Sequence, residues 1–161
     1  MAKHVLNNSA ENFDFLLIGL VSGENQYSIV SKVNQALGID LALSDNISYN
    51  LKPGSIFHFS LYRHEDEELG LEIFLLPNNS NLEMAKADEK DGLDLFSGTG
   101  VEESARLIKE LPKTNYFIII KGEELHLFRY KISEKLKNIP EILQVQLIEP
   151  HDLPSRMNLV F

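Results

Sequence analysis

Residues 116–148 read YFIIIKGEELHLFRYKISEKLKNIPEILQVQLI, and this stretch decides the architecture. Tyr116–Ile120 is a strongly apolar strand. Gly122 turns the chain, and Glu123 and Glu124 favour the positive end of a following helix. Leu125, Phe128, Ile132, Leu136 and Ile139 then recur at helical spacing and form one apolar seam. Lys135 and Lys137 suit the negative end of that helix, and Pro140 stops it. From Ile142 to Ile148 the period drops to two, with Leu143, Val145 and Leu147 on one side. The stretch reads as a βαβ unit, right-handed if its strands are parallel.

The chain before it follows the same logic. Phe13–Val21 is a nearly continuous apolar run, broken by Ser22-Gly23-Glu24-Asn25. Between Gln26 and Leu37 the period is helical. Ile29, Val30, Val33, Ala36 and Leu37 share a face, Tyr27 lies close to it, and Gly38 stands where a helix-ending glycine belongs. Ile39–Leu43 is a candidate short strand, Asp45–Asn50 carries less signal, and Pro53-Gly54 marks a turn. Ser55–Tyr62 and Leu69–Leu76 alternate as two strands of a hairpin. Phe57, Phe59 and Leu61 share one face of the first, and Leu69, Leu71, Ile73 and Leu75 one face of the second, with Arg63–Glu68 between them.

Residues 77–98 lack periodicity and read as a long acidic surface loop, with at most one helical turn near Leu82–Ala87. Thr99-x-x-Glu102 has the form of a capping box, and Val101, Ala105 and Ile108 predict a helix that ends at Leu111-Pro112. The tail Leu153–Phe161 closes on Leu159-Val160-Phe161, and an apolar end of this kind is expected to dock. The expected fold is therefore α+β: one domain over residues 1–161 with a single mixed, mostly antiparallel sheet. Its helices pack mainly on one face, in ferredoxin-like βαββαβ order from Phe13 to Ile120 with an extra αβ unit.

Charge narrows the partners. The chain has 161 residues and a formal net charge of −9. Residues 65–94 hold ten acids against Lys86 and Lys90. Such a region repels phosphate backbones and anionic membrane surfaces, so neither nucleic acid nor membrane is an expected partner. A basic protein partner for the acidic loop is one reading, and a plain solvated loop is the other. There is no cysteine, which removes disulfides, thiolate nucleophiles and metal–sulfur sites. The first residues, Met1 to Asn8, lack the apolar run of a signal peptide, so a cytoplasmic protein is expected. On that view the Asn-x-Ser matches at Asn7, Asn46 and Asn78 are chance.

The candidate chemistries are incomplete on inspection. His64-Glu65-Asp66-Glu67-Glu68 resembles the His-Glu-x-x-His zinc pattern, but Glu68 stands at the second ligand position and the segment is a predicted turn. A calcium loop with Gly92 at its sixth position would begin at Ala87 and end at Gly98, neither of which carries a carboxylate. Ser97-Gly98-Thr99-Gly100 before a helix could cradle an anion. Glu103 replaces the third glycine of a dinucleotide fingerprint, and Glu102 and Glu103 oppose phosphate. His4, His58, His64, His126 and His151 show no metal spacing. No residue is assigned as catalytic, cofactor-binding or metal-binding, no cofactor is implied, and the balance leans against an enzyme.

Ile139-Pro140-Glu141, followed by Val145, resembles the motif of the IPExxxVDY family of uncharacterised bacterial proteins. Gln146 and Leu147 depart from the Asp and Tyr of that motif. The strand at Leu17–Leu20, the helix with Tyr27 and Val33–Leu37, and the tail Ser155–Phe161 are similar in order. The resemblance implies no reaction, substrate or partner. Physically, Pro140 ends a helix, Val145 faces a core and Glu141 bonds near the turn. The reading that results is a non-catalytic binding or interaction module, sensing a small molecule or docking a protein. A homodimer through sheet edges and a monomer with covered edges rank equally. The alternative is a metal-assisted hydrolase using His64 with carboxylates of residues 65–94, which requires Glu65, Glu68, Asp88 and Asp91 to converge with a His.

Overall fold

A computed structural model describes residues 13–80 and 104–161. Its elements are β1 (Leu16–Val21), α1 (Gln26–Leu37), β2 (Ala42–Lys52), β3 (Ser55–Asp66), β4 (Leu71–Pro77), β5 (Tyr116–Lys121), α2 (Leu125–Lys137) and β6 (Gln144–Ile148). Two short 3₁₀ turns follow, at Pro150–Asp152 and Arg156–Leu159. The strands form one six-stranded sheet in the order β2-β3-β4-β5-β1-β6. Every neighbouring pair among them is antiparallel.

The α+β class and the single sheet match the sequence reading. The connectivity differs from it. β2, β3, β4 and β5 lie side by side in chain order, so β5 rather than β4 neighbours β1, and the sheet lacks the ferredoxin-like interleaving. β5 and β6 flank β1 and both oppose it. They therefore run parallel to each other without touching, and α2 crosses over β1 between them.

Each helix has a local cause. The Asn25 side chain accepts a hydrogen bond from the Ser28 N–H at 2.9 Å and caps α1. Gly38, at φ 67, ends α1 in the left-handed conformation, with its N–H on the Asn34 carbonyl. Both helices lie on one face of the sheet. Ile29, Val30 and Val33 of α1 and Ile132 and Leu136 of α2 close over Ile18, Leu20, Ile73, Leu75, Ile118 and Ile120. Leu125 and Phe128 pack against this core less completely, as does Val145 of β6, while Leu143 is exposed.

The opposite face has no described helix. Leu17, Phe57, Phe59, Leu61, Phe74, Leu76, Phe117 and Ile119 are covered by Phe13 and Phe15, by Ala105, Leu107 and Ile108, and by Leu153 and Leu159 of the tail. β1 and β5 are thus sandwiched on both sides, which explains their unbroken apolar runs. The tail docks as expected. Asn158 donates to the Leu107 carbonyl at 2.8 Å, and Phe161 meets the Phe74 ring edge-on.

The helix predicted through Ala105 and Ile108 does not form in its described part. Residues 104–115 are irregular. Their backbone groups are served by Asn78, which is fully buried. Its side-chain amide donates to the carbonyls of Thr114, Leu111 and Ile108 at 2.9, 3.1 and 3.3 Å, and its side-chain oxygen accepts from the Ile108 N–H at 2.8 Å. Its main chain bonds Leu107 and Asn115. A buried segment whose polar groups are paired in this way needs no helix. The capping box at Thr99 and Glu102 lies outside the described residues, as do Leu82–Ala87 and most of the acidic stretch.

Candidate docking edge

Among the described residues the sheet ends on two edge strands, β6 and β2. β6 is five residues long and β2 eleven. Among the described residues no strand pairs with β2 on the side away from β3. Outward-pointing N–H and C=O groups of an edge strand are a template for another chain, and proteins usually guard them with lysine, proline or bulges. Here the guards are at the ends. Register shifts occur between Leu43 and Asp45 and between Tyr49 and Lys52. The interval Asn46-Ile47-Ser48-Tyr49-Asn50-Leu51 carries no charge and no proline.

The strand is contacted from both faces. Ile47, Tyr49 and Leu51 pack on the phenylalanine layer. The Tyr49 hydroxyl donates to the Asn158 carbonyl at 2.8 Å, and burial holds its phenol above the usual range. On the other face Ser48 Oγ lies 2.8 Å from His58 Nδ1. A strand paired on one side and open on the other can accept strand addition.

Beside the first register shift lies an open groove of about 260 Å³, lined by Ala42, Leu43, Ser44, Arg63 and Glu65. Its volume falls below the roughly 300–1,000 Å³ of small-molecule pockets. Its cation is already engaged. Arg63 donates to Glu72 through Nε at 3.0 Å and Nη2 at 2.7 Å, and to Glu65 at 3.2 Å. Leu43, 57% exposed, adds an apolar contact at the rim.

The residues of the zinc-like pattern do not converge. The segment is the end of β3 and the turn after it, so His64 and Glu65 point to opposite faces of the sheet. His64 Nδ1 accepts from the Asp40 N–H at 3.2 Å, Glu65 is drawn to Arg63, and Glu67 and Glu68 are exposed at the turn. Asp88, Asp91 and Gly92 lie outside the described residues, as do His4, Asn7 and the Ser97–Gly100 stretch. Among the described residues no group of three or more His, Asp or Glu could hold a metal ion. His151 packs against the Phe13 ring and His126 is exposed on α2. Asn78 is spent on the 104–115 segment and Asn46 is exposed on β2.

The Ile139-Pro140-Glu141 turn serves as an anchor. Lys32 of α1 donates to the Glu141 carboxylate at 2.7 Å. That bond holds the Glu141 carboxyl below the ordinary carboxylate range and the Lys32 ammonium above its ordinary value. Ser22 Oγ donates to the Glu141 carbonyl at 2.7 Å, and the Leu143 N–H donates to Val21. Ser22 in turn donates its N–H to the Asn115 side chain, and the Tyr116 hydroxyl reaches the Glu24 carbonyl at 2.5 Å. Residues of β1, α1, β5 and the α2–β6 turn thus meet in one network.

Tyr62 stands apart from that network. It is 4% exposed, and its buried hydroxyl has no hydrogen-bond partner among the described residues. Burial, with Tyr27 nearby, raises its pKa.

The sequence reading missed the length of β2 and its open side. The available signal was the alternation of Ile47, Tyr49 and Leu51 up to Pro53-Gly54. Among the described residues no helix is long and apolar enough to cross a membrane. No family model, curated protein or solved structure matches the chain.

Proposed function

We propose that this chain is a non-catalytic interaction module that docks an extended polypeptide segment along β2. The observation that carries the reading is the eleven-residue edge strand, uncharged from Asn46 to Leu51 and contacted from both faces. Main-chain hydrogen bonds would supply affinity. Leu43 and the groove beside Arg63 would supply side-chain selection. The small groove volume and the carboxylates already on Arg63 favour protein docking over small-molecule sensing. The net charge of −9 opposes a polyanionic partner.

Membership of the IPExxxVDY family remains part of the proposal. The anchoring of Glu141 by Lys32 and Ser22, and the packing of Val145 against the helix-side core, support a structural role for the motif.

The test uses tagged wild-type chain and an Asn46→Lys/Asn50→Lys variant as baits in extract of the source cells, with circular dichroism to check folding. Edge lysines are a natural block to strand addition. The reading expects a polypeptide retained by the wild type and lost from the variant. A small molecule retained stoichiometrically by both chains in native mass spectrometry would contradict it.

A further inference from the structure

The outer face of α2 has a charge opposite to that of the chain. Arg129, Lys131, Lys135 and Lys137 are all exposed, and the helix contains one acid, Glu134, which Lys137 holds at 3.2 Å. Among these cations Leu127 is 60% exposed and Tyr130 73% exposed. They lie three residues apart on the side away from the seam of Leu125, Phe128, Ile132 and Leu136, so the core does not use them. The β3–β4 turn has the complementary composition. Glu67 and Glu68 are exposed beside Leu69, itself 54% exposed, with Glu65 and Asp66 just before them. Asp66 accepts from the Leu69 N–H at 3.0 Å and fixes the turn.

Each feature is an apolar group ringed by charge, and the two signs are opposite. Within one chain the turn adjoins only the start of α2, where Gly122 lies against Gly70 and Leu71, and Leu69, Leu127 and Tyr130 all stay exposed. We propose that they meet between copies: the acidic β3–β4 turn of one chain docks on the α2 face of a second, and the second returns the contact around a twofold axis. This surface is separate from the β2 edge. Leu69 would sit against Leu127 and Tyr130, with Glu67 and Glu68 facing Lys131 and Lys135. Glu123 and Glu124 at the start of α2 repel the turn and direct it toward the later turns of the helix. The apolar area is small and the charges are exposed, so the association is weak and salt-sensitive.

Sedimentation velocity from about 5 to 500 µM, at low and high salt, tests the contact. The expected result is a monomer–dimer equilibrium for the wild type that weakens with salt. Glu67→Lys/Glu68→Lys and Lys131→Glu/Lys135→Glu should each weaken self-association by roughly tenfold or more, while remaining folded by circular dichroism. Each variant opposes like charges in its own dimer. An equimolar mixture of the two pairs opposite charges at both contacts and should recover wild-type association. Asn46→Lys/Asn50→Lys should leave it unchanged. A wild type that stays monomeric throughout, a dimer that neither variant weakens, or a mixture that fails to recover overturns the proposal.

Discussion

Replacing Asn78 by Ala removes the side chain that makes four hydrogen bonds to the irregular segment 104–115. The Ile108 N–H loses its 2.8 Å acceptor in a fully buried position. An orphaned buried donor costs about 1–3 kcal/mol. The Thr114 carbonyl loses the amide donor at 2.9 Å, at about 1 kcal/mol. The Ile108 and Leu111 carbonyls keep bonds from the Leu111 and Thr114 N–H groups, so their losses are minor. The sum is about 2–4 kcal/mol, a large share of the roughly 5–15 kcal/mol typical of a domain.

In urea, with a slope of about 2 kcal/mol per molar, the midpoint should fall by about 1–2 M. Asn78→Asp should be worse at neutral pH, because a carboxylate would face three carbonyl oxygens. Burial would hold that carboxyl above its unfolded value. The variant's stability would then be greatest below the ordinary carboxylate range and fall as pH rises through the folded value. A loss for Asn78→Ala of under about 1 kcal/mol would refute the reasoning, since it would mean that water or backbone rearrangement replaces the amide.

Two further perturbations address the network and the isolated hydroxyl. Glu141→Gln breaks the bond from Lys32. The wild-type Glu141 carboxyl is held low, so its contribution is present above the unfolded carboxylate range and lost as pH falls through the folded value. Denaturation of wild type and variant should therefore differ at pH 7 and converge in acid; equal curves at pH 7 would remove the pair from the stability account. Tyr62→Phe deletes a buried hydroxyl without a partner, so unfolding free energy should stay level or rise by up to about 1 kcal/mol in thermal or urea melts, and a clear loss would reveal a partner.

Much of the architecture was legible from periodicity. β1 and β5 are apolar throughout because both faces are covered, and α1 and α2 show their seams because each packs on one side. The β3–β4 hairpin and the β5–α2–β6 passage were visible for the same reason. What stayed hidden depends on partners distant in the chain. Nothing near Ala105 and Ile108 reveals that Asn78, about thirty residues earlier, supplies their segment's hydrogen bonds, so the helical spacing there misled. The bond between Lys32 and Glu141 spans 109 residues. β2 was blurred because its second face carries Asn46, Ser48 and Asn50, which dilute the alternation of Ile47, Tyr49 and Leu51. The zinc-like run lost its meaning once His64 and Glu65 fell on opposite faces of a strand.

The open side of β2 can be tested without knowing the partner, by residue-resolved amide exchange of the isolated chain at low concentration. The amides of Asp45–Tyr49 that point to β3 should be protected and those between them should exchange faster, in alternation. Uniform protection along the strand would mean that its outer side is already covered, and would contradict the docking edge.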